Sequence, residues 1–308
     1  MEVKNRQADW AAMALLLVNL IYGASHVIAK GVMPNYLTPT VFILFRVFGA
    51  VVLFWLSLSF VQKVKLQKND LLRFGFCGLF GVSINQLLFF HGLNASSPMN
   101  AGIIMALNPI MVALLSFYFL KERLSSRQKT GIALGAIGAI ALTMYGSTEW
   151  KARLGDLFLI GNSLSYAIYL ILVKPLMNRY PPIQVIAIVF TFGSLFLLLF
   201  PPLYWDLANL NLSRIPMEVW IKIIFVIVGV TFLTYLLTVV GLRYVSPTLA
   251  AVFIYVQPIF VIVFSYVFSF IGWAKDYTKS INSTTIFLMA LIFIGVYFTT
   301  NIPKSHET

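Results

Sequence analysis

Charge is what this sequence has least of. Only 10% of its 308 residues are Asp, Glu, Lys or Arg, against about 25% in soluble domains. Acids are the scarcer sign, 10 against 22 bases. Cysteine is nearly absent: Cys77 stands alone inside an apolar run, so disulfides cannot support the fold. There is no Walker motif, which argues against ATP drive, and no metal-ligand spacing, so no cofactor is expected. Asp9, Asp70, Glu122, Asp156 and Glu218 are scattered at the ends of apolar runs. An intramembrane enzyme acting on lipid or isoprenoid substrates would need paired acids or a His/Asp cluster, and none is visible. The net charge of +12 could suggest nucleic acid. The bases sit in short loops between apolar runs, however, which is the positive-inside pattern, so no nucleic-acid partner is expected.

What is there is apolar: 60% of the chain, in runs of about twenty residues, the length at which a helix crosses a bilayer. The lipid bilayer is therefore the first partner. Ten spans are expected, at roughly 9–30, 38–61, 71–93, 99–120, 128–146, 155–177, 182–201, 217–241, 248–271 and 284–301. The first carries Asn19, Tyr22, Ser25 and His26 and lacks a small-residue cleavage site, so it reads as a span and not a signal peptide. With the N-terminus inside, fourteen bases fall on the inner side and seven on the outer, with Arg46 inside a span. Both termini are expected in the cytoplasm.

One unit is written twice. Gly92-Leu93, Ser97-Pro98, Ala101 and Asn108-Pro109 recur as Gly241-Leu242, Ser246-Pro247, Ala250 and Gln257-Pro258 at a constant offset of 149. At an offset of 143 or 144, Asn19 matches Asn162, Lys30 matches Lys174, Tyr36 matches Tyr180 and Gly49 matches Gly193. Five spans thus repeat as five, over 9–146 and 155–301. Five is odd, so the second copy enters from the opposite side. The expected fold class is an all-α integral membrane protein of ten transmembrane helices as two inverted five-helix repeats. Halves built alike can exchange conformations, which is the basis of alternating access around a small-molecule site near the midplane. A non-transporting membrane scaffold is the other alternative to an enzyme.

Polar residues within spans are the candidates for that site, because exposing them to lipid is costly. They are Asn19, Tyr22, His26, Arg46, Gln86, Asn108, Asn162, Tyr166, Tyr235, Tyr255 and Gln257. Pro109 and Pro258 near mid-span each free the carbonyl four residues earlier, Met105 and Ile254, and so are hinge candidates; packing kinks are the plainer alternative. Arg46 has no carboxylate near its depth and must use amides, carbonyls, an aromatic face or a substrate anion, unless it snorkels outward. Lys30 and Lys174 are snorkelling anchors or a symmetric pair of gate residues. Gly131, Gly135 and Gly138 form a small-residue ridge that suits packing within one molecule, and a monomer is expected. No carboxylate lies at mid-depth, since Asp156 and Glu218 fall at outer span ends. Transport is therefore expected to be uncoupled, or coupled through His26.

These residues resemble the drug/metabolite transporter superfamily, EamA type. Asn19 to Lys30 is similar to its first-span motif, Phe45-Arg46 to its second-span motif, and Gly92-Leu93 to Pro109 to its third-to-fourth link. Leu120-Lys121-Glu122-Arg123-Leu124-Ser125 resembles its Leu-Gly-Glu-Arg-Leu signature, with Lys121 where Gly is usual. In the second half Trp273-Ala274-Lys275-Asp276-Tyr277 stands in that place. The resemblance implies ten helices, a central cavity, and export or exchange of small metabolites, amino acids among them.

Overall fold

The computed structural model describes residues 2–121, 124–145, 149–241, 253–277 and 282–300, and these are all-helical apart from their connections. Proline and hydroxyl residues set the starts. Helix α1 is Glu2–Val32 and α2 is Pro39–Leu58. Thr38 caps α2 by accepting from the Val41 amide at 3.3 Å, with Pro39 in the first turn, where its missing N–H costs nothing. The third span is α3 (Lys68–Gly78) and α4 (Ile84–Ala95), joined without a break by a π-helical segment, Leu79–Ser83. Ser97 and Pro98 repeat the capping device at α5 (Pro98–Met105).

Helix α6 is Asn108–Leu120, α7 Ser126–Tyr145, α8 Trp150–Met177 and α9 Pro182–Leu198. The short α10 (Pro202–Ala208) bends away from α9 by 78°. Further on, α11 (Met217–Phe225) and α12 (Thr234–Gly241) flank a second π-helical segment, Val226–Leu233. Two helices complete the described residues, α13 (Gln257–Phe270) and α14 (Ser283–Thr300).

Among the described residues six stretches are long and apolar enough to cross a membrane, and a seventh is if α9 and α10 count as one bent span. Helices α13 and α14 are apolar but shorter. This is a multi-pass membrane protein. Residues 242–252, which include the first part of the expected ninth span at 248–271, lie outside the described residues.

The two prolines, expected near mid-span as hinges or as packing kinks, stand in the first turns of helices. Helix α5 ends at Met105, and the Ala106 and Leu107 amides reach back three residues, to Ile103 and Ile104, in a tightened turn. Asn108-Pro109 then opens α6. Likewise a 3-10 turn, Phe253–Val256, precedes Gln257-Pro258 at the start of α13. Each proline therefore occupies a first turn, where no hydrogen bond is lost. The span of α5 and α6 is thus discontinuous, and α13 likewise starts after a 3-10 turn.

Small residues decide which helices touch. Lipid tails are as apolar as leucine, so close van der Waals packing holds membrane helices together. Helix α7 lies along α14 through Gly131, Gly135 and Gly138, so the glycine ridge is intramolecular. A Cβ on Gly131 would stand 2.7 Å from the Thr299 amide nitrogen, and one on Gly138 2.7 Å from Ile292 Cγ1. Helix α4 lies on α8, where a Cβ on Gly155 would stand 2.7 Å from the Ser96 nitrogen. Helix α1 runs between α13 and α12, and α2 against α9.

Gly131→Leu is expected to destabilise the α7–α14 pair by about 1–3 kcal/mol, the usual cost of overpacking. Thermal unfolding in detergent should show a lowered midpoint, while Gly75→Leu, where nothing lies within 4 Å of an added Cβ, should leave it unchanged.

Candidate functional site

Five of the expected site residues come together in the interior. Tyr22 and His26 lie one turn apart on α1, Arg46 on α2, Tyr166 on α8 and Tyr235 on α12. Tyr169, one turn beyond Tyr166, joins them at a ring distance of 6.1 Å. Tyr22, Tyr235 and His26 lie close enough to the Arg46 guanidinium to feel its charge, and Tyr166 and Tyr169 are close enough to Tyr22 to feel its charge.

Arg46 is the centre of this group and is only 6% exposed. It does not snorkel. Its Nε donates to Thr231 Oγ1 at 2.7 Å, and its guanidinium lies over the Phe90 ring at 5.0 Å. Thr231 belongs to the second π-helical segment and itself donates to the Val226 carbonyl five residues back, at 2.9 Å. No salt bridge to Arg46 exists among the described residues, and its terminal amino groups have no hydrogen-bond acceptor there. A buried cation with an unused fork of donors suits a carboxylate or another compact anion.

The surrounding groups are fixed. Thr234 Oγ1 donates to the Val230 carbonyl at 2.6 Å and so accepts from the Tyr22 hydroxyl at 3.1 Å. His26 Nδ1 lies 2.7 Å from the Tyr22 carbonyl. A carbonyl can only accept, so Nδ1 carries the hydrogen and Nε2 is left as an acceptor, buried and without a partner. Phe89 packs edge-on against the imidazole at 5.2 Å. The Tyr235 ring packs against Phe54 and Phe190. The first π-helical segment supports the opposite wall: Gly81 leaves room for the Tyr169 ring, and Ser165 Oγ donates to the Phe80 carbonyl at 2.6 Å.

The remaining candidates divide. Asn108 Oδ1, Gln257 Oε1 and Gln86 Oε1 are buried without partners. The first two stand at the helix breaks, and Gly102, beside the first break, packs against Pro258 at the second, 3.4 Å from an added Cβ to Pro258 Cα. Asn19 and Asn162 are already committed to the backbone. Asn19 Nδ2 donates to Leu15 O at 2.8 Å within its own helix. Asn162 Nδ2 donates to Asn85 O at 2.8 Å, and Asn85 Nδ2 returns to Asn162 O at 3.4 Å. The Tyr255 side chain lies outside the described residues.

Lys30 is not a snorkelling anchor. Its ammonium donates to the carbonyls of Leu93, Asn94 and Ser96 at 2.9, 2.5 and 2.7 Å. It thus caps the last turn of α4, where carbonyls lack helical partners and the helix dipole favours a cation. Lys174, its counterpart in the repeat, is exposed. The residues at the offset of 149 from the Lys30 acceptors, Leu242, Arg243 and Val245, lie outside the described residues.

Beside Lys30 is a carboxylate that sequence reasoning left at a span end. Asp156 is fully buried. Ser96 Oγ donates to it, and Asn100 Nδ2 lies 3.1 Å from Oδ2. Ser96 therefore links α1 to α8 through its carbonyl and its hydroxyl. Glu218, the other acid expected at an outer end, is exposed and paired with Lys222 at 2.6 Å.

Lys30→Met removes three donors from one helix end. A cysteine placed at Asn94 should react with a membrane-impermeant maleimide several-fold faster in that background, if the cap holds this end shut. An unchanged rate would leave Lys30 with no part in closure.

Comparison with known proteins agrees with this architecture. The model of the EamA-like transporter family matches residues 9–144 and again 153–301. The uncharacterized transporter YyaM of Bacillus subtilis is 26% identical over 299 residues, covering 94% of each chain. The uncharacterized transporter YetK of the same organism is 24% identical, covering 85% of this chain and 80% of its own. The Arabidopsis thaliana protein WALLS ARE THIN 1 is 24% identical over 58% of this chain. A crystal structure 16% identical in sequence shares the fold, with a TM-score of 0.60 over 94% of this chain and 96% of that one. Two family matches spanning nearly the whole chain, on a bundle of membrane-crossing helices, place this protein in the EamA-like transporter family of the drug/metabolite transporter superfamily.

Proposed function

We propose that this protein is a secondary exporter of amino acids or related small metabolites, working by alternating access between two inverted five-span halves, 9–146 and 155–301. The buried Arg46 carries the reading. It is a cation deep in an apolar bundle, with free terminal donors, the Tyr22 and Tyr235 phenols near it and no protein carboxylate facing it among the described residues. A substrate carboxylate would complete its fork. The unpartnered amide oxygens of Gln86, Asn108 and Gln257 would accept from a substrate ammonium. The aromatic walls suit an apolar or flat side chain.

Helix pairings support the two halves. The first span meets the eighth and ninth as the sixth meets the third and fourth; the fifth pairs with the tenth and the second with the seventh. That is the pattern a pseudo-two-fold axis in the membrane plane produces. The π-helical segments in the third and eighth spans, and the breaks before Asn108 and Gln257, recur in the same sense. Irregular backbone at membrane depth is tolerated where it is buried in protein or lines a cavity. Pro109 and Pro258 then fix the hinges, and Lys30 and Lys174 the opposite gates, with Lys30 engaged in this state. The orientation has both termini in the cytoplasm of a bacterial inner membrane, and one chain is the working unit.

Counterflow in proteoliposomes tests this. With a radiolabelled amino-acid mixture, wild-type protein should exchange substrate without ATP and without an imposed pH gradient. Arg46→Gln should lower exchange by at least about tenfold, the worth of one charge-assisted hydrogen bond, with its elution profile in detergent unchanged. Full exchange by the variant would place the substrate elsewhere. Asn108→Leu and Gln257→Leu should each lower exchange as well, whereas Asn19→Leu, whose amide is spent within its own helix, should not.

A further inference from the structure

A recess lies far from the Arg46 group. It opens where α3 begins and α8 ends, about 24 Å along the third span from Gln86 at 1.5 Å per residue. Its volume is about 500 Å³ and its walls include Asn69, Leu72, Arg73, Phe76, Leu172 and Arg179. We infer that this recess binds the headgroup of an anionic phospholipid, with Arg73 and Arg179 on the phosphate. The inference is independent of the transport reading and needs only that the chain sits in a bilayer.

Spacing on the two helices produces the right layering. Asn69, Leu72, Arg73 and Phe76 follow at i, i+3, i+4 and i+7 and therefore share one face of α3. Polar Asn69 and Arg73 occupy its outer turns. Leu72 and Phe76 carry the same face inward, and both are exposed, at 71% and 45%. Leu172 on α8 stands about two turns before Arg179, which lies in the turn just past the end of that helix, and extends the apolar wall. From Asn69 to Phe76 the face descends about 10 Å, from the polar end of the span into hydrocarbon. A phospholipid has the same sequence of chemistry along its length.

The charge at the mouth is built for an anion. Arg179 Nη1 holds both oxygens of Asp70, at 3.0 and 3.1 Å, while half of its side chain stays exposed. The Tyr180 hydroxyl donates to Asp70 at 2.9 Å. Asp70 is thereby neutralised and serves to orient Arg179, whose other nitrogens have no acceptor among the described residues. Arg73 makes no hydrogen bond there either. Lys63, Lys65 and Lys68 are exposed on the approach to α3. The approach itself is pinned, since Gln184 pairs with both backbone groups of Val64, at 2.9 and 2.7 Å, and the Gln67 amide donates to Tyr180 at 3.0 Å. Basic recesses between spans on the positive side of a membrane protein suit phosphate headgroups, each Lys or Arg near an anionic surface contributing about 1 kcal/mol. Free phosphate would use the guanidinium groups but not the apolar wall.

Native mass spectrometry of the whole protein in neutral detergent tests the assignment, with dioleoyl phosphatidylglycerol, dioleoyl phosphatidylcholine and inorganic phosphate as probes. Phosphatidylglycerol should bind at least about tenfold more tightly than phosphatidylcholine, and Arg73→Gln should remove that preference. Lys65→Gln/Lys68→Gln, which alters only exposed positions, should weaken it by about fivefold or more and keeps the test open if Arg73→Gln does not fold. Equal binding of the two lipids, or a preference untouched in both variants, would overturn the inference. So would displacement of phosphatidylglycerol by millimolar inorganic phosphate, which would assign the recess to a soluble anion.

Discussion

A polar group in hydrocarbon has no water to fall back on, and that constraint shapes the described parts of this protein. Each unpaired backbone group within the bilayer costs several kcal/mol, roughly, so side chains are recruited to helix ends and breaks. Lys30 gives all three ammonium hydrogens to the end of α4. Ser96 and Asn100 satisfy Asp156 next to it. Asn85 and Asn162 bind each other's carbonyls across two spans. These devices satisfy the polar groups beside the tight glycine contact of Gly155 with α4, while Asn94 Oδ1 on α4 and Ser163 Oγ on α8 stay buried without partners.

Against that background the unsatisfied groups stand out. Arg46 keeps its terminal donors free, and His26, Gln86, Asn108 and Gln257 each keep one bare acceptor. Buried polar atoms without partners are uncommon in native proteins and call for an explanation. Here they come from α1, α2, α4, α6 and α13, and so from both halves of the chain. Two π-helical segments flank the Arg46 group, one offering Thr231 to the guanidinium and the other a glycine to the Tyr169 ring. A π-helical turn shifts side chains out of α-helical phase, which is one reason such turns gather at functional sites.

Much of this was legible in the sequence, and the failures have physical causes. The Gly131 ridge was read as an intramolecular packing surface, and that is what it is, because glycine spacing on a helix dictates close approach. The breaks at Asn108-Pro109 and Gln257-Pro258 were located, but not their form: a proline pattern does not distinguish a kinked helix from one that ends and restarts. Asn19 and Asn162 look equivalent by offset yet bond differently, since offset says nothing about the neighbour across the helix interface. Lys30 was read as a snorkelling anchor or a gate residue and not as a helix cap, because its three carbonyl acceptors lie more than sixty residues away. Asp156 was placed at an outer end by span counting, but α8 begins at Trp150, so this acid sits nearly two turns inside its helix. The π-helical segments left no recognisable trace, since one extra residue in a helical turn does not disturb an almost uniformly apolar run.

The central claim is that Arg46 is the anchor for a substrate carboxylate. Ligand-dependent thermal stabilisation in detergent, read for single amino acids against their methyl esters in wild-type protein and in Arg46→Lys, tests it most directly. The account predicts a rise in the unfolding midpoint with at least one free amino acid, none with its ester, and a much smaller rise in Arg46→Lys, whose point charge cannot grip a carboxylate with two parallel donors. An ester that stabilises as well as its acid, or a rise unchanged in Arg46→Lys, would contradict it.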